Sequence, residues 1–177
     1  MITHLAVENV FNEGLGRQYQ TRLVGGADEP FYEAPKTSQS TAIIWYRSDY
    51  VRSALHELCH WCVAGPRRRS QDDYGYWYVP DGRTLEQQQL FFQVELYPQA
   101  IESLFCAALK IPFEVSVDNL NGGQVGEDLG AFRDAVNDKA QSLVRGELGA
   151  RASKLIRNFE DLVATPREHE GAVWGGR

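Results

Sequence analysis

The chain lacks most of the features that would place it outside ordinary globular proteins. Only three of its 177 residues are cysteine, Cys59, Cys62 and Cys106, an odd number in a chain long enough to bury a core without staples. That count does not fit a disulfide framework; it fits reduced thiols in a reducing compartment. No run approaches the roughly 18 consecutive apolar residues of a membrane span. Met1 to Gly14 is amphipathic and carries acidic residues, whereas a targeting leader has a basic start followed by an apolar run. A cytoplasmic protein with no membrane contact is expected. Positive charge is not in excess either: 18 Lys and Arg against 24 Asp and Glu leave a net −6. Nothing therefore draws the chain as a whole to nucleic acid or anionic lipid. Gly25-Gly26 and Gly122-Gly123 lack the strand-to-helix setting of a phosphate loop, and no nucleotide cofactor is expected.

What is present is core material. Hydrophobic residues make up 43% of the chain, with eight Phe, eight Tyr and four Trp, enough for one domain over residues 1–166. The polar, glycine-rich residues 167–177 read as a flexible tail. Leu5, Val7, Val10, Phe11 and Leu15 recur at helical spacing after Thr3, an N-cap residue, with Gly14 and Gly16 to end the helix. Thr21 to Val24 and Ala42 to Tyr46 read as two strands separated by a loop. Ser48 and Asp49 offer N-caps for a long helix from Tyr50 to Ala64, closed by Gly65-Pro66. The aromatic run Tyr74 to Val79 favours a strand. Thr84 to Leu109 reads as helix, kinked or divided near Pro98. Phe113 to Val117 alternates like a strand, and two more helices follow at about 129–145 and 150–164.

The helix over residues 50–64 carries the most informative string, His56-Glu57-Leu58-Cys59-His60. Residues four apart lie one turn apart on the same face, so both imidazoles can reach one metal ion, while Glu57, rotated by about 100°, can reach a water or substrate beside it. The competing reading is a pair of hydrogen-bonding core histidines. An open metal site needs a third ligand, and the other two histidines, His4 and His169, lie in the first helix and the tail. The string does not continue to a third histidine, so a carboxylate on a later helix is expected. Glu95 is the first choice. It sits among Leu90, Phe91, Phe92, Val94, Leu96 and Tyr97, where a cation would offset the cost of burying its charge. Glu86 and Glu102 stand in reserve, and Gln99 either supports the site or caps a helix after Pro98.

Two other features have weaker readings. Cys59 and Cys62 form a C-x-x-C, but inside a helix and away from the N-terminus that would stabilise a thiolate, so they read as small buried hydrophobes. Trp61 and the Tyr74, Tyr76, Trp77 and Tyr78 cluster supply either pocket walls or core. Arg67-Arg68-Arg69 either steers an acidic partner or is a solvated turn.

Two histidines and a carboxylate serve two chemistries. With zinc they make a peptidase or amidase in which Glu57 is the general base. With Fe(II) they leave positions open for dioxygen and substrate, and the product is a hydroxylated carbon. The H-x-D string usual in 2-oxoglutarate oxygenases is absent, and the helix-rich pattern does not predict their jelly roll.

Five blocks carry a resemblance: Asp28-Glu29-Pro30, the run from His56 to Gly65, the run from Tyr74 to Arg83, Val94-Glu95-Leu96-Tyr97-Pro98-Gln99-Ala100, and the run from Pro112 to Leu120. In this order, over about residues 20 to 120, the chain resembles the elongation factor P hydroxylase family. The resemblance implies an α+β, metalloprotease-like (zincin-like) fold with the H-E-x-x-H helix against a small sheet. It implies metal ligation by His56, His60 and Glu95, and Fe(II) before zinc or another divalent ion. Under it Glu57 is an acid or base beside the metal, and the substrate is the β-lysylated lysine of translation elongation factor P.

Overall fold

The computed structural model describes residues 2–47, 50–75, 85–116 and 125–165. Helix α1 (His4–Phe11) starts where Thr3 Oγ1 accepts from the Ala6 amide, and it runs into a wide turn over Asn12–Gly16. Strands β1 (Thr21–Ala27), β2 (Phe31–Glu33) and β3 (Ala42–Arg47) form one sheet of order β1-β3-β2. Central β3 pairs parallel with β1, Leu23 opposite Ile44, and antiparallel with β2, Tyr32 opposite Ile44. The alternation of Ala42, Ile44 and Tyr46 turns one face of β3 into the core. Tyr46 fills a space that only glycine leaves open: a Cβ on Gly25 would stand 2.6 Å from its ring.

Both outer strands are finished by side chains that imitate a neighbouring strand. The Asn12 amide accepts from the Leu23 N–H at 2.8 Å and donates to the Leu23 carbonyl at 3.0 Å. On the other side Asp73 and Asp72 accept from the amides of Tyr32 and Ala34, at 2.9 and 2.8 Å. Each of these bonds occupies a backbone group that an outer edge would otherwise offer to another strand.

Helix α2 (Val51–Val63) lies against β3 and also packs on α1, α3 (Leu85–Leu109) and α5 (Ala150–Ala164). Helix α4 (Val125–Ser142) packs on α3. The fold is α+β, a single small domain with one three-stranded sheet and a helical majority. Among the described residues no helix is long and apolar enough to cross a membrane.

Several sequence expectations are corrected here. The N-cap position of α2 falls on Tyr50, without a side-chain cap, while Ser48 and Asp49 lie outside the described residues. Strand β2 was not expected, because three residues carry too little periodicity to register. Of the two expectations at Pro98, a kink or a division, the division does not occur: α3 runs through the proline, where apolar packing of Ala100, Ile101 and Phe105 beyond it outweighs one missing amide donor. Residues 111–116 alternate in burial as a strand would, yet join no sheet. Their partners are side chains, since Gln99 donates to the Ser116 carbonyl at 2.8 Å and accepts from its amide at 2.9 Å. Tyr74 and Gly75 end a tight turn over Asp72–Gly75 instead of opening a strand, and residues 76–79 lie outside the described residues, as does the tail over 167–177.

Candidate active site

Helices α2 and α3 face each other through two polar stripes. Arg52, His56 and His60 recur at i, i+4 and i+8 on α2; Glu95, Gln99 and Glu102 recur at i, i+4 and i+7 on α3, all three buried. The stripes meet in antiparallel order, Arg52 against Glu102 and His60 against Glu95, with His56 between the two carboxylates. Leu55, Leu58, Cys59, Ile101, Phe105 and Cys106 close the surroundings with apolar bulk.

The three residues singled out as ligands converge. His60 Nε2 lies 3.0 Å from His56 Nε2 and 3.3 Å from Glu95 Oε1, and His56 Nε2 lies 3.5 Å from Glu95 Oε2. Donors each about 2.1 Å from a common ion would stand roughly 3.0 to 3.4 Å apart for octahedral to tetrahedral angles. The spacing therefore fits a small divalent cation.

His56 and Glu95 are each held from behind. Glu102 Oε2 accepts a hydrogen bond from His56 Nδ1 at 3.0 Å, which turns Nε2 toward His60 and Glu95. Arg52 fixes the other oxygen of Glu102 through Nε at 3.1 Å and Nη2 at 2.9 Å, and reaches the Glu114 carbonyl at 2.5 Å. Gln99 donates to Glu95 Oε2 at 3.4 Å. Burial alone would push His56 down, but the Glu102 hydrogen bond and the charges of Glu95, Glu102 and Glu57 hold it up at about 10. Burial would push Glu95 up, and the His60 charge and hydrogen bond, with His56 and Gln99, hold it down at about 2. Without an ion the site behaves as an imidazolium beside carboxylates; a cation would displace that proton.

Glu57 carries no hydrogen bond among the described residues. Burial raises its pKa, the charges of His56 and His60 oppose the rise, and Glu95 and Asp73 add to it. A carboxyl raised in this way holds a proton more readily than an exposed one and is suited to proton transfer.

The reserve ligands separate. Glu86 is exposed, whereas Glu102 is the carboxylate that orients His56. His4 bonds Tyr46 at 2.9 Å, far along the chain from this cluster, and His169 lies outside the described residues. Trp61 is core, edge to face with Phe11 at 5.1 Å. The cysteines are free thiols, and burial pushes Cys59 and Cys62 up, away from thiolate chemistry. Sequence reasoning missed Arg52 and the orienting role of Glu102. The signal was there in the i, i+4, i+8 recurrence of Arg52 with the two histidines.

Fold and site together define a small α+β protein built around two imidazoles and one buried carboxylate aimed at a common point. The family model for elongation factor P hydroxylase (EpmC) matches residues 10–172. The chain is also 40% identical over 146 residues to the elongation factor P lysine hydroxylase of Haemophilus influenzae, covering 82% of this chain and 81% of that protein. The chain belongs to the elongation factor P hydroxylase family, and the match reaches beyond the blocks around residues 20 to 120 into α4 and α5.

Proposed function

We propose that this protein hydroxylates the β-lysylated lysine side chain of translation elongation factor P, as a metal-dependent oxygenase of the non-haem iron monooxygenase type. The observation that carries the reading is the convergence of His56, His60 and Glu95 within 3.0 to 3.5 Å of one another in a chain of this family. These three residues would hold Fe(II), which when bound supplies the activation of dioxygen.

The chain's own residues do the rest. Glu102, locked by Arg52, keeps His56 in the tautomer whose Nε2 is free to ligate. Gln99 steadies Glu95 and at the same time pins the backbone of Ser116. In a monooxygenation one oxygen atom goes to carbon and the other leaves as water, with two electrons from an external donor and two protons. Glu57, next to the triad and raised in pKa, is the group to deliver a proton. The H-E-x-x-H helix lying against β3 supports a zincin-like reading of the fold, with residues 1–166 as one catalytic domain. Action on a translation factor places the work in the cytoplasm, and neither nucleic acid nor membrane is needed.

The test is intact-mass analysis of β-lysylated elongation factor P after aerobic incubation with Fe(II)-loaded protein and a reductant. A gain of one oxygen atom, absent with His60→Ala, is expected. No gain with iron bound and the substrate verified would overturn the reading and move attention to hydrolysis.

A further inference from the structure

One residue beyond His60, Trp61 is fully buried, and two guanidiniums flank its ring: Arg151 at 4.7 Å and Arg69 at 5.8 Å from the centroid. The same two lie over Tyr19, at 5.7 and 5.3 Å, and Tyr19 meets Trp61 edge to face at 5.3 Å. Two like charges thus share one pair of rings. Among the described residues no carboxylate forms an ion pair with either. Asp72, three residues from Arg69, directs Oδ1 to the Ala34 amide instead. Ring faces attract cations but do not cancel the repulsion between them. Burial lowers the pKa of Arg151, and the charge of Arg69 lowers it further.

Hydrogen bonding is incomplete in the same place. Arg151 Nη2 donates to the carbonyls of Cys62 at 3.0 Å and Ala64 at 2.6 Å, which closes the C-terminal end of α2. Among the described residues its Nη1 has no acceptor, and neither has Arg69 Nε or Trp61 Nε1, all of them buried. Three unpaired donors on three side chains in contact, two of them cationic, lack acceptors and negative charge at once. Water would answer only the first deficit.

We propose that Arg69, Arg151 and Trp61 form a binding site for an oxyanion, a carboxylate or phosphate group, separate from the His56, His60 and Glu95 cluster. A guanidinium presents its N–H groups as a fork that matches such oxygens, and both guanidiniums are held against the same two rings. A free ion and an acidic side chain of a protein partner share this chemistry. The inference stands on these contacts alone and is independent of the hydroxylase reading.

The test follows the indole N–H resonances of the four tryptophans in the full chain during a titration with inorganic phosphate at constant ionic strength. Replacing Trp45, Trp77 and Trp174 one at a time assigns Trp61. Its resonance should move saturably. Arg69→Gln, at a residue whose guanidinium makes no hydrogen bond among the described residues, should weaken phosphate binding about tenfold or more. Arg67→Gln removes an equal charge from the exposed start of the same turn and should change binding less than about twofold. Unmodified elongation factor P, added to the phosphate-loaded protein, then separates the two sources. Displacement of phosphate identifies an acidic side chain as occupant, and retention identifies a free ion. A Trp61 resonance that moves with neither, or an Arg67→Gln loss equal to that of Arg69→Gln, would overturn the proposal.

Discussion

Helix α2 carries two charged clusters one residue apart, and they are finished in opposite ways. Around His56 and His60 positive and negative groups are matched: Arg52 with Glu102, Glu102 with His56, and both imidazoles with Glu95. Around Trp61, among the described residues, two guanidiniums meet with no carboxylate paired to either, and three donors lack acceptors. The matched cluster holds His56 and Glu95 in place through its own residues, so on the proposed reading little ordering remains to be done when an ion binds. The unmatched cluster is complete only with a group from outside. A close polar network therefore marks where the protein has prearranged a site from its own residues, and an unbalanced one marks where it waits for a partner.

The sharpest way to break this contrast is to remove a ligand. Glu95→Ala should abolish stoichiometric metal binding, with an activity loss beyond the roughly hundredfold typical of losing an outer hydrogen-bonding partner. Metal analysis of the purified variant checks the first part and substrate mass the second; stoichiometric metal in Glu95→Ala would remove this residue from the site.

Removing a support should cost less. Glu102→Gln should lower metal affinity by about 10- to 100-fold in a chelator competition while the fold persists. An unchanged affinity would reduce Glu102 to a structural partner of Arg52.

At the other cluster, Arg151→Ala gives up two charge-assisted bonds to the end of α2 and relieves the repulsion with Arg69. A net loss of about 1 to 2 kcal/mol in denaturant unfolding is expected, with metal affinity unchanged. A drop in metal affinity would mean that the two clusters are one coupled unit.

The last test is the pH dependence of stability without metal. His56 rises from 6.5 to about 10 on folding, so its contribution is full below pH 6.5 and fades as pH rises toward 10. Glu95 falls from 4.5 to about 2, so its contribution is present above pH 4.5 and is lost as pH falls toward 2. Urea midpoints across this range should decline at both ends, and His56→Asn should flatten the alkaline decline.

The convergence of His56, His60 and Glu95 was legible in the sequence because its signals are local. Histidines four apart need only a helix to share a face, and Glu95 announced itself as one carboxylate in an apolar run. Arg52 and Glu102 were harder, since their meaning depends on the antiparallel register of α2 against α3, which no local pattern encodes. The fold was read well where apolar spacing alone decides, as in α1, β1, β3 and α5. It was misread where side chains take the place of a strand. Residues 111–116 alternate in burial because Gln99 and Arg52 hold their backbone, and alternation does not reveal what the partner is. A division at Pro98 was expected as one of two alternatives for a related reason: the penalty is local, and the packing that outweighs it is not.

The most direct measurement is anomalous diffraction from crystals of the Fe(II)-loaded protein, with data on both sides of the iron absorption edge. The account predicts one iron peak about 2.0 to 2.2 Å from His56 Nε2, His60 Nε2 and a Glu95 carboxylate oxygen. Iron bound elsewhere in the chain, with those three side chains still in contact only with one another, would contradict it.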